Sequence, residues 1–385
     1  MIKNILYTAA TVLLFASCKK DYDDGVIQPP VDPNTPGAIE WEKAADSSTS
    51  ALIQKFWNPS GNYFNETNTN TNFHYWPQAH ALDVLIDAYV RTGKQEYKDY
   101  MDKWFTGVNQ KNGNSFLNEF YDDMEWNALA MLRAYDATND AKYRTAVEAV
   151  WADIKTGWNT TMGGGIAWRK SQMYYKNTPA NAPAAILAVR LYERFKNADD
   201  LAWSKKIYAW LKKTLYNKST GWVYDGINSE NDGKRNESWK FTYNQGTFIG
   251  AAIELFRITN EAVYLNDALQ AANFTLSDNN LTNFDDNLLK DEGGGDGGLF
   301  KGVFIRYFTQ LILTDGMLSS DRARYVRYLR HNATTLWNTG TDKNNLLFAS
   351  YWKNKAGATT DLTIQLSGAM LIEAAALLDK EGYFE

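Results

Sequence analysis

Cysteine and histidine are scarce in this 385-residue chain. There is a single cysteine, Cys18, so no disulfide can form within the chain. The three histidines, His74, His80 and His331, together with that one thiol provide none of the paired spacings of a Cys/His zinc site. The sequence therefore predicts a protein without a disulfide framework and without a metal ion or other cofactor.

An excess of basic residues is also absent. Lys and Arg number 40 against 45 Asp and Glu, a formal charge of -5, which argues against a nucleic-acid partner. At 44% hydrophobic and 22% charged, the composition is that of a globular protein with a sizeable core. No Gly-x-Ser-x-Gly elbow and no phosphate-binding Gly-Lys-Ser/Thr loop is present, which excludes those serine hydrolases and P-loop proteins.

The N-terminal segment carries the features of an export signal. The apolar run from Ile5 to Ala16 is too short to span a bilayer but has the length of a signal-peptide core. Leu14-Phe15-Ala16-Ser17-Cys18 resembles a bacterial lipobox, in which cleavage precedes a cysteine that is then lipidated. We predict a signal peptide over 1–17 and lipid attachment at Cys18. The alternative is an ordinary secretory signal with an unrelated cysteine.

Residues 18–37 read as a tether between this lipid and a folded domain. The run Lys19–Asp24 is similar to export tags that direct some Gram-negative lipoproteins to the outer face of the outer membrane. Four of the eight prolines fall in 29–36, which predicts an extended spacer. We predict an outer-membrane lipoprotein exposed at the cell surface, with the periplasmic face as the alternative, and membrane contact only through the lipid.

Residues 38–385 are predicted to form one all-α domain. Apolar residues recur at helical spacing, and three segments share an aromatic near a helix end, a Thr-Gly or Thr-Asn stop, and a second helix with Tyr at one offset. These segments are 88–97, 134–143 and 255–264, with looser copies at 191–203, 300–336 and 364–380, the last paired with 40–56. About six helix pairs at uneven spacing predict a closed (α/α)6 barrel.

Blocks of aromatic, amide, carboxylate and glycine residues lie at the start of the first helix of several pairs. If the inner helices run parallel, their N-termini share one face of the barrel, and the loops before them converge there. These blocks are Tyr75–Gln78, Tyr121–Asp123, Lys176–Pro179, Thr242–Gly246 and Gly293–Gly298. We therefore predict a single cleft at that face.

Asp122 and Asp123 are adjacent carboxylates at the predicted start of one inner helix. Neighbouring residues inside a helix point to different faces, so both can serve one site only from the entry turn. Asp122 with Glu125 is also the acidic relative of a capping box, so a capping role remains open beside a catalytic one.

The block at 121–130, Tyr-Asp-Asp-Met-Glu-Trp-Asn-Ala-Leu-Ala, resembles the paired-aspartate motif of glycoside hydrolase family 76, the endo-α-1,6-mannanases. Other blocks resemble that family in the same order and together cover nearly all of 40–380. They are 75–80, 163–169, 176–181, 243–246 and 295–302. The family's fold is an (α/α)6 barrel, which is also the fold that the helix pairs predict.

The resemblance implies a retaining endo-α-1,6-mannanase that hydrolyses the mannose backbone of yeast- or fungal-type α-mannan. Asp122 would attack the anomeric carbon, and Asp123 would protonate the leaving oxygen and then activate water. The polysaccharide is the expected partner, and we expect a monomer. The alternatives are a transglycosidase of the same family, which the bacterial-type leader disfavours, and a non-catalytic mannan-binding lipoprotein, which the intact Asp pair disfavours.

Candidate sugar-binding residues lie in the same blocks. Trp76 and Trp168 could stack on pyranose faces, although core packing is the commoner role of Trp. Polar side chains are candidates for contacts with mannose hydroxyls, although Asn and Asp before helices are also common caps. They are His74, Arg169, Asn177, Tyr243, Asn244, Gln245 and Asp296. His80 is expected to be structural, and the glycines at 163–165 to permit close backbone approach to a ligand or to make the loop flexible.

Overall fold

The computed structural model describes residues 38–385. The predicted signal peptide, Cys18 and the tether lie outside these residues. Within them, Ile39–Phe384 forms one unit that contains twelve α-helices. The helices are α1 Trp41–Phe56, α2 Tyr75–Thr92, α3 Gln95–Lys111, α4 Tyr121–Thr138, α5 Ala141–Ile154, α6 Ala182–Phe195, α7 Ala198–Thr214, α8 Thr242–Thr259, α9 Ala262–Ser277, α10 Gly297–Ile312, α11 Ser319–Thr335 and α12 Leu362–Lys380.

The even-numbered helices form the inner ring. Each packs against the next even-numbered helix, and α12 packs against α2, which closes the ring. Nearly the whole of α2 is buried, whereas α3 buries one stripe of residues at helical spacing, Tyr97, Met101, Trp104 and Val108. The predicted (α/α)6 barrel is confirmed: six inner helices are surrounded by six outer ones.

The helix pairs turn where the sequence repeat predicts. Gly93, Asn139 and Asn260 follow α2, α4 and α8 in the left-handed conformation, at φ of 66°, 54° and 56°. The backbone N–H of each donates to the carbonyl of the aromatic residue four positions earlier, over 2.7 Å in all three cases. Such left-handed caps end a helix and reverse the chain, which produces the αα-hairpins.

Short strands also occur in the connections between helices. They are β1 Trp57–Asn58, β2 Tyr63–Phe64, β3 Ala167–Arg169, β4 Gln172–Asn177, β5 Gly226–Ile227, β6 Thr282–Asn283, β7 Leu288–Leu289, β8 Thr341–Asp342 and β9 Leu347–Phe348. They pair antiparallel as β1-β2, β3-β4-β5, β6-β7 and β8-β9. The all-α prediction missed them because most have two residues, too few for an alternating pattern.

Helix α12 is long and apolar enough to cross a membrane by length and composition, and it alone meets this test among residues 38–385. Of its apolar window, 83% is buried inside the barrel. Its hydrophobicity therefore belongs to an inner helix that is surrounded by protein.

Candidate active site

A cavity of about 560 Å³ opens at the N-terminal ends of the inner helices. Its wall comes from the first turns of α2, α4, α8 and α10 and from β3 and β4, so the predicted convergence of these blocks is confirmed. Four aspartates, Asp122, Asp123, Asp225 and Asp296, line it, and the described residues of its wall include no Lys or Arg.

Asp122 lies in the first turn of α4, where its carboxylate accepts two hydrogen bonds. Oδ1 accepts from the backbone N–H of Asp123 at 3.0 Å, and Oδ2 accepts from the indole Nε1 of Trp168 at 3.1 Å. Burial raises the pKa of Asp122 to about 7, and the two donors act in the opposite direction. Asp122 is therefore buried but has donors that favour its ionised form.

Asp123 has a different environment one residue further on. Among residues 38–385, none donates a hydrogen bond to its carboxylate. Burial, followed by the negative charges of Asp122 and Asp296, raises the pKa of Asp123 well above its usual range. The pair shares the proton unequally, so that Asp122 ionises first and Asp123 keeps its proton, although the two groups titrate together.

The capping box that the sequence left open as an alternative does not form in the structure. The residue before α4, Phe120, makes no side-chain cap, and neither oxygen of Glu125 has a hydrogen-bond partner among the described residues. Asp122 bonds the backbone N–H of Asp123 through one oxygen and Trp168, which lines the cavity, through the other. Its carboxylate therefore contacts both the first turn of α4 and the site.

Asp225 is a third buried carboxylate in the wall. Oδ1 accepts from the Tyr243 hydroxyl at 3.1 Å and from the Asn244 amide at 3.0 Å, and Oδ2 accepts from the Tyr175 hydroxyl at 3.0 Å. Burial raises the pKa of Asp225, and these three donors oppose the rise. Its negative charge also contributes to the raised pKa of Asp122.

Asp296 closes the opposite part of the wall, directly before α10. Its Oδ1 accepts from the indole Nε1 of Trp76 at 2.7 Å and lies 3.6 Å from Nε2 of His74. Trp76 is nearly buried against the rings of His80 and Trp126. The indole edge of Trp76 is therefore fixed by a carboxylate, and its ring lines the cavity.

Two other predicted residues reach the cavity. The ring of Tyr243 stacks on Phe300, with centroids 3.9 Å apart and planes 8° from parallel. Asn177 accepts a hydrogen bond from the backbone N–H of Ala180 through Oδ1. Its side-chain Nδ2 makes no hydrogen bond to a described residue, which leaves a donor for a ligand.

Asn244, Gln245 and Arg169 do not reach the cavity wall. Asn244 is fully buried and orients Asp225, and Gln245 bonds the backbone of Val223, Gly221 and Ala271. The guanidinium of Arg169 lies 4.8 Å from the Trp168 ring centroid. The prediction that these three contact sugar is corrected by their placement, since Asn244 and Arg169 contact residues that line the cavity and Gln245 bonds backbone groups outside it.

Two further expectations concern residues beside the site. His80 is buried against Trp76 and Trp126, and burial lowers its pKa to about 4, which agrees with a structural role. Gly164 and Gly165 have φ of 138° and 88°, and a Cβ on either would lie 2.8 Å from a Trp ring atom. They pack against the rings of Trp158 and Trp210 rather than at the cavity.

Comparison with known proteins identifies this arrangement. The family model described as glycosyl hydrolase family 76 matches residues 40–384. The chain belongs to glycosyl hydrolase family 76. It is therefore a glycoside hydrolase, and the resemblance drawn from the motif blocks is confirmed.

Similar solved structures cover the whole barrel. The GH76A α-1,6-mannanase from Salegentibacter sp. HEL1_6 matches with a TM-score of 0.85 and 42% identity, over 88% of this chain and 100% of that chain. A protein from Listeria innocua matches with a TM-score of 0.82 and 39% identity, over 89% and 99% of the two chains.

Curated fungal relatives are more distant. Mannan endo-1,6-alpha-mannosidase DCW1 of Saccharomyces cerevisiae is 22% identical over 215 residues, which is 50% of this chain and 47% of that protein. The chain spans about half the length of the curated relatives that it matches.

Sequence reasoning missed several wall residues of this family-76 chain. They are Phe120, Gln172, Tyr175, Asp225, Ser229, Glu230, Trp239, Phe241 and Phe300. A signal for Asp225 existed, because Trp222-Val223-Tyr224-Asp225-Gly226 lies in the long connection before an inner helix. The predicted blocks contained only the residues next to each helix start, whereas β5 carries this earlier part of the loop back to the site.

Proposed function

We propose that this protein is a retaining endo-α-1,6-mannanase that hydrolyses the mannose backbone of yeast- or fungal-type α-mannan. The observation that carries the proposal is the adjacent Asp122 and Asp123, which face one cavity, and burial raises the pKa of Asp123 further than that of Asp122. An inactive variant of the Salegentibacter mannanase, with two consecutive aspartates replaced, was solved with α-1,6-mannotetraose. That complex supports both the substrate class and the paired-aspartate site.

Asp122 is the nucleophile in this mechanism. Its carboxylate is positioned by Trp168 and by the N–H of Asp123, and it lies at the positive end of the α4 dipole, which favours a negative charge. An oxygen of Asp122 bonds the anomeric carbon while the glycosidic bond to the leaving sugar breaks. Asp123 donates its proton to the departing oxygen, so no alkoxide has to leave.

The second step reverses these roles. Asp123, now ionised, takes a proton from a water molecule, whose oxygen bonds the anomeric carbon as the bond to Asp122 breaks. Asp122 is released as a carboxylate and Asp123 regains its proton. Two displacements at the same carbon return the original configuration, and each residue ends the cycle in its starting state.

The wall composition agrees with an uncharged sugar as ligand. Aromatic side chains occupy much of it, and the described wall residues provide no Lys or Arg to hold an acidic polysaccharide. Carboxylate, amide and hydroxyl groups provide the directional contacts that sugar hydroxyls require. Trp76, Trp168, Asn177, Tyr243 and Asp296 are the proposed substrate contacts, with His74 at the rim.

The test is digestion of debranched and branched yeast-type α-mannan with the purified protein, followed by sizing of the products. Endo cleavage is expected to give a ladder of oligosaccharides, whereas mannose alone would contradict it. In a parallel digestion of an α-1,6-mannooligosaccharide, products longer than that oligosaccharide would indicate transfer in place of hydrolysis. Proton NMR during the first turnovers is expected to show the α-anomer, and initial β-anomer would refute the retaining mechanism.

We also propose that the protein is a monomer that reaches the outer membrane through a lipid on Cys18. The lipobox and the tether support this proposal, and both precede the described residues. Labelled fatty acid should be incorporated by the full chain and not by a Cys18→Ser variant. Protease shaving of intact cells would then separate the surface from the periplasmic orientation.

A further inference from the structure

Trp239 is the most solvent-exposed of the aromatic side chains that line the cavity. It lies in the connection between β5 and α8, and it is 45% exposed. Each of the other aromatic rings in the wall contacts another ring, as Phe241, Tyr243 and Phe300 do. The indole of Trp239 has no ring contact, hydrogen bond or cation partner among residues 38–385.

The two residues that follow Trp239 are held by side-chain contacts, although the indole of Trp239 itself has none among the described residues. The next residue, Lys240, forms an ion pair with Asp278 at 2.6 Å and lies over the ring of Trp222. Phe241 then packs against Phe300, with ring centroids 5.2 Å apart. An anchored backbone presents the free indole at one place on the cavity rim, so a ligand that stacks on it has little backbone to order.

The indole of Trp239 presents a flat apolar face to the cavity that no described side chain covers. The C–H face of a pyranose ring is a flat apolar surface of similar size. We propose that Trp239 is a sugar platform remote from the bond that is cleaved, and that it binds a mannose unit of a long α-mannan chain. This inference rests on the proposed function. It adds that Trp239 makes the enzyme prefer long mannan chains over short oligosaccharides.

The platform predicts a dependence on substrate length. On this proposal a polymer contacts Trp239 while one of its bonds lies at Asp122 and Asp123, whereas a trisaccharide placed across that bond depends less on Trp239. Loss of the indole should therefore reduce kcat/KM for polymeric α-1,6-mannan by about three- to tenfold, mainly through KM. The reduction for α-1,6-mannotriose should be smaller.

The experiment compares Trp239→Ala with the wild type on both substrates. Phe284→Ala is the matched control, because Phe284 is an aromatic residue that is 60% exposed, has no ring contact to a described residue and lies outside the cavity. The expected result is a lower ratio of polymer to trisaccharide kcat/KM in Trp239→Ala and an unchanged ratio in Phe284→Ala. An equal loss on both substrates, or no loss on the polymer, would overturn the inference.

A binding measurement separates this inference from the proposed function. In an Asp122→Asn/Asp123→Asn background, affinity electrophoresis on α-1,6-mannan reports binding without turnover. If the wild type fails to cleave mannan but this background still loses affinity on Trp239→Ala, the platform stands and the catalytic proposal fails. If the wild type cleaves mannan and the affinity does not change with Trp239→Ala, the platform fails alone.

Discussion

The two ends of the barrel differ in whether their charged side chains are paired with groups of opposite charge. At the N-terminal end of the inner helices, Asp122, Asp123, Asp225 and Asp296 line a cavity and none has a Lys or Arg partner among the described residues. At the C-terminal end, a second cavity of about 730 Å³ is lined by arginines that are paired with carboxylates. Cavities of similar size thus differ in whether their charges are neutralised.

The pairs at the C-terminal end tie neighbouring inner helices together. Arg190 of α6 bonds Glu254 of α8 at 2.6 Å, and Arg194 bonds Asp136 of α4 at 2.7 Å. Deeper in the barrel, Arg133 of α4 bonds Asp83 and Asp87 of α2. In addition to these pairs, positive groups near helix C-termini are favoured by the helix dipoles.

The difference separates stability from function. Paired charges at one end hold the ring closed. At the other end Asp122, Asp123 and Asp225 have raised pKa values and no Lys or Arg partner among the described residues, so they destabilise the folded state when ionised and keep a proton available for chemistry. The positive ends of the inner helices and a few neutral donors only partly offset that cost. Variants that remove a charged group at each end test this contrast, and we order them from the largest expected effect.

The largest effect is expected from neutralising the catalytic pair. Asp122→Asn and Asp123→Asn should each reduce mannan hydrolysis by about 10³-fold or more, because each removes a group that bonds or protonates the sugar. Both variants should also be more stable than the wild type above pH 7, since an acid whose pKa is raised by folding destabilises the native state as pH rises. Activity assays and thermal unfolding at pH 8 measure the two effects.

Asp315→Asn is the control for the pair, because Asp315 is an aspartate that lines the other cavity. It should leave kcat/KM for mannan at the wild-type value. Wild-type activity in either Asp122→Asn or Asp123→Asn would disprove the assigned roles, and lower stability of both would contradict the contrast between the two ends.

The next effect is expected on stability at the opposite end. Arg133→Met removes the arginine that bonds the buried Asp83 and the partly buried Asp87, and only Arg306 then remains, among the described residues, as an arginine beside these two carboxylates. The free energy of unfolding should fall by about 3 kcal/mol, since a buried charge that loses its partner is costly. Urea unfolding measures the change.

A surface pair provides the matched control. Arg144→Met breaks an ion pair with Glu148 on α5, where both side chains are largely exposed, and should cost less than about 1 kcal/mol. Both variants should retain wild-type kcat/KM. Equal destabilisation by the two substitutions would contradict the claim that the ion pairs at the C-terminal end stabilise the fold more than a surface pair does.

The parts of the fold and site that could be predicted from the sequence are those with a local sequence pattern. The left-handed helix caps at Gly93, Asn139 and Asn260 and the apolar periodicity are local signals. They were enough to predict six helix pairs and a single cleft. Adjacent aspartates at a helix start were equally visible. Those parts of the fold and site needed no knowledge of which residues meet in space.

The remaining features depend on contacts between distant segments. Asp225 joins the site because β5 pairs with β4, and Trp168 meets Asp122 across 46 residues of sequence. Asn244 was a candidate sugar contact because its amide lies in a block at the start of an inner helix, but its side chain is buried and bonds Asp225. Pairing and side-chain direction at this level come from packing of the whole barrel, which no short motif specifies.

A smaller effect is expected from Glu125, which lies one helical turn below Asp122. Burial and the charge of Asp122 raise the pKa of Glu125 well above its usual range, so it is protonated in the folded state. Glu125→Gln should therefore be more stable than the wild type by an amount that grows as pH rises above 4.5. Below that pH the unfolded chain also holds the proton, and the gain should vanish.

Urea unfolding at pH 4, 6 and 8 tests this dependence on both proteins. The isosteric amide keeps the packing of the side chain, so the comparison isolates the proton. Parallel stability curves for wild type and variant would mean that Glu125 does not titrate abnormally in the folded protein. The raised carboxyl pKa values at the cavity would then be those of Asp122, Asp123 and Asp225.

The smallest expected effect is a shift of the pH profile in Asp296→Asn. The negative charge of Asp296 helps to raise the pKa of Asp123, so its removal should let Asp123 lose its proton at a lower pH. The alkaline limb of kcat/KM for mannan should move to lower pH, while the amide oxygen can still accept from Trp76. Because the Asp296 side chain is 62% exposed, the shift should be modest and smaller still at high salt. An alkaline limb that moves to higher pH, or a shift of equal size in 1 M salt, would show that Asp296 does not act on Asp123 through its charge.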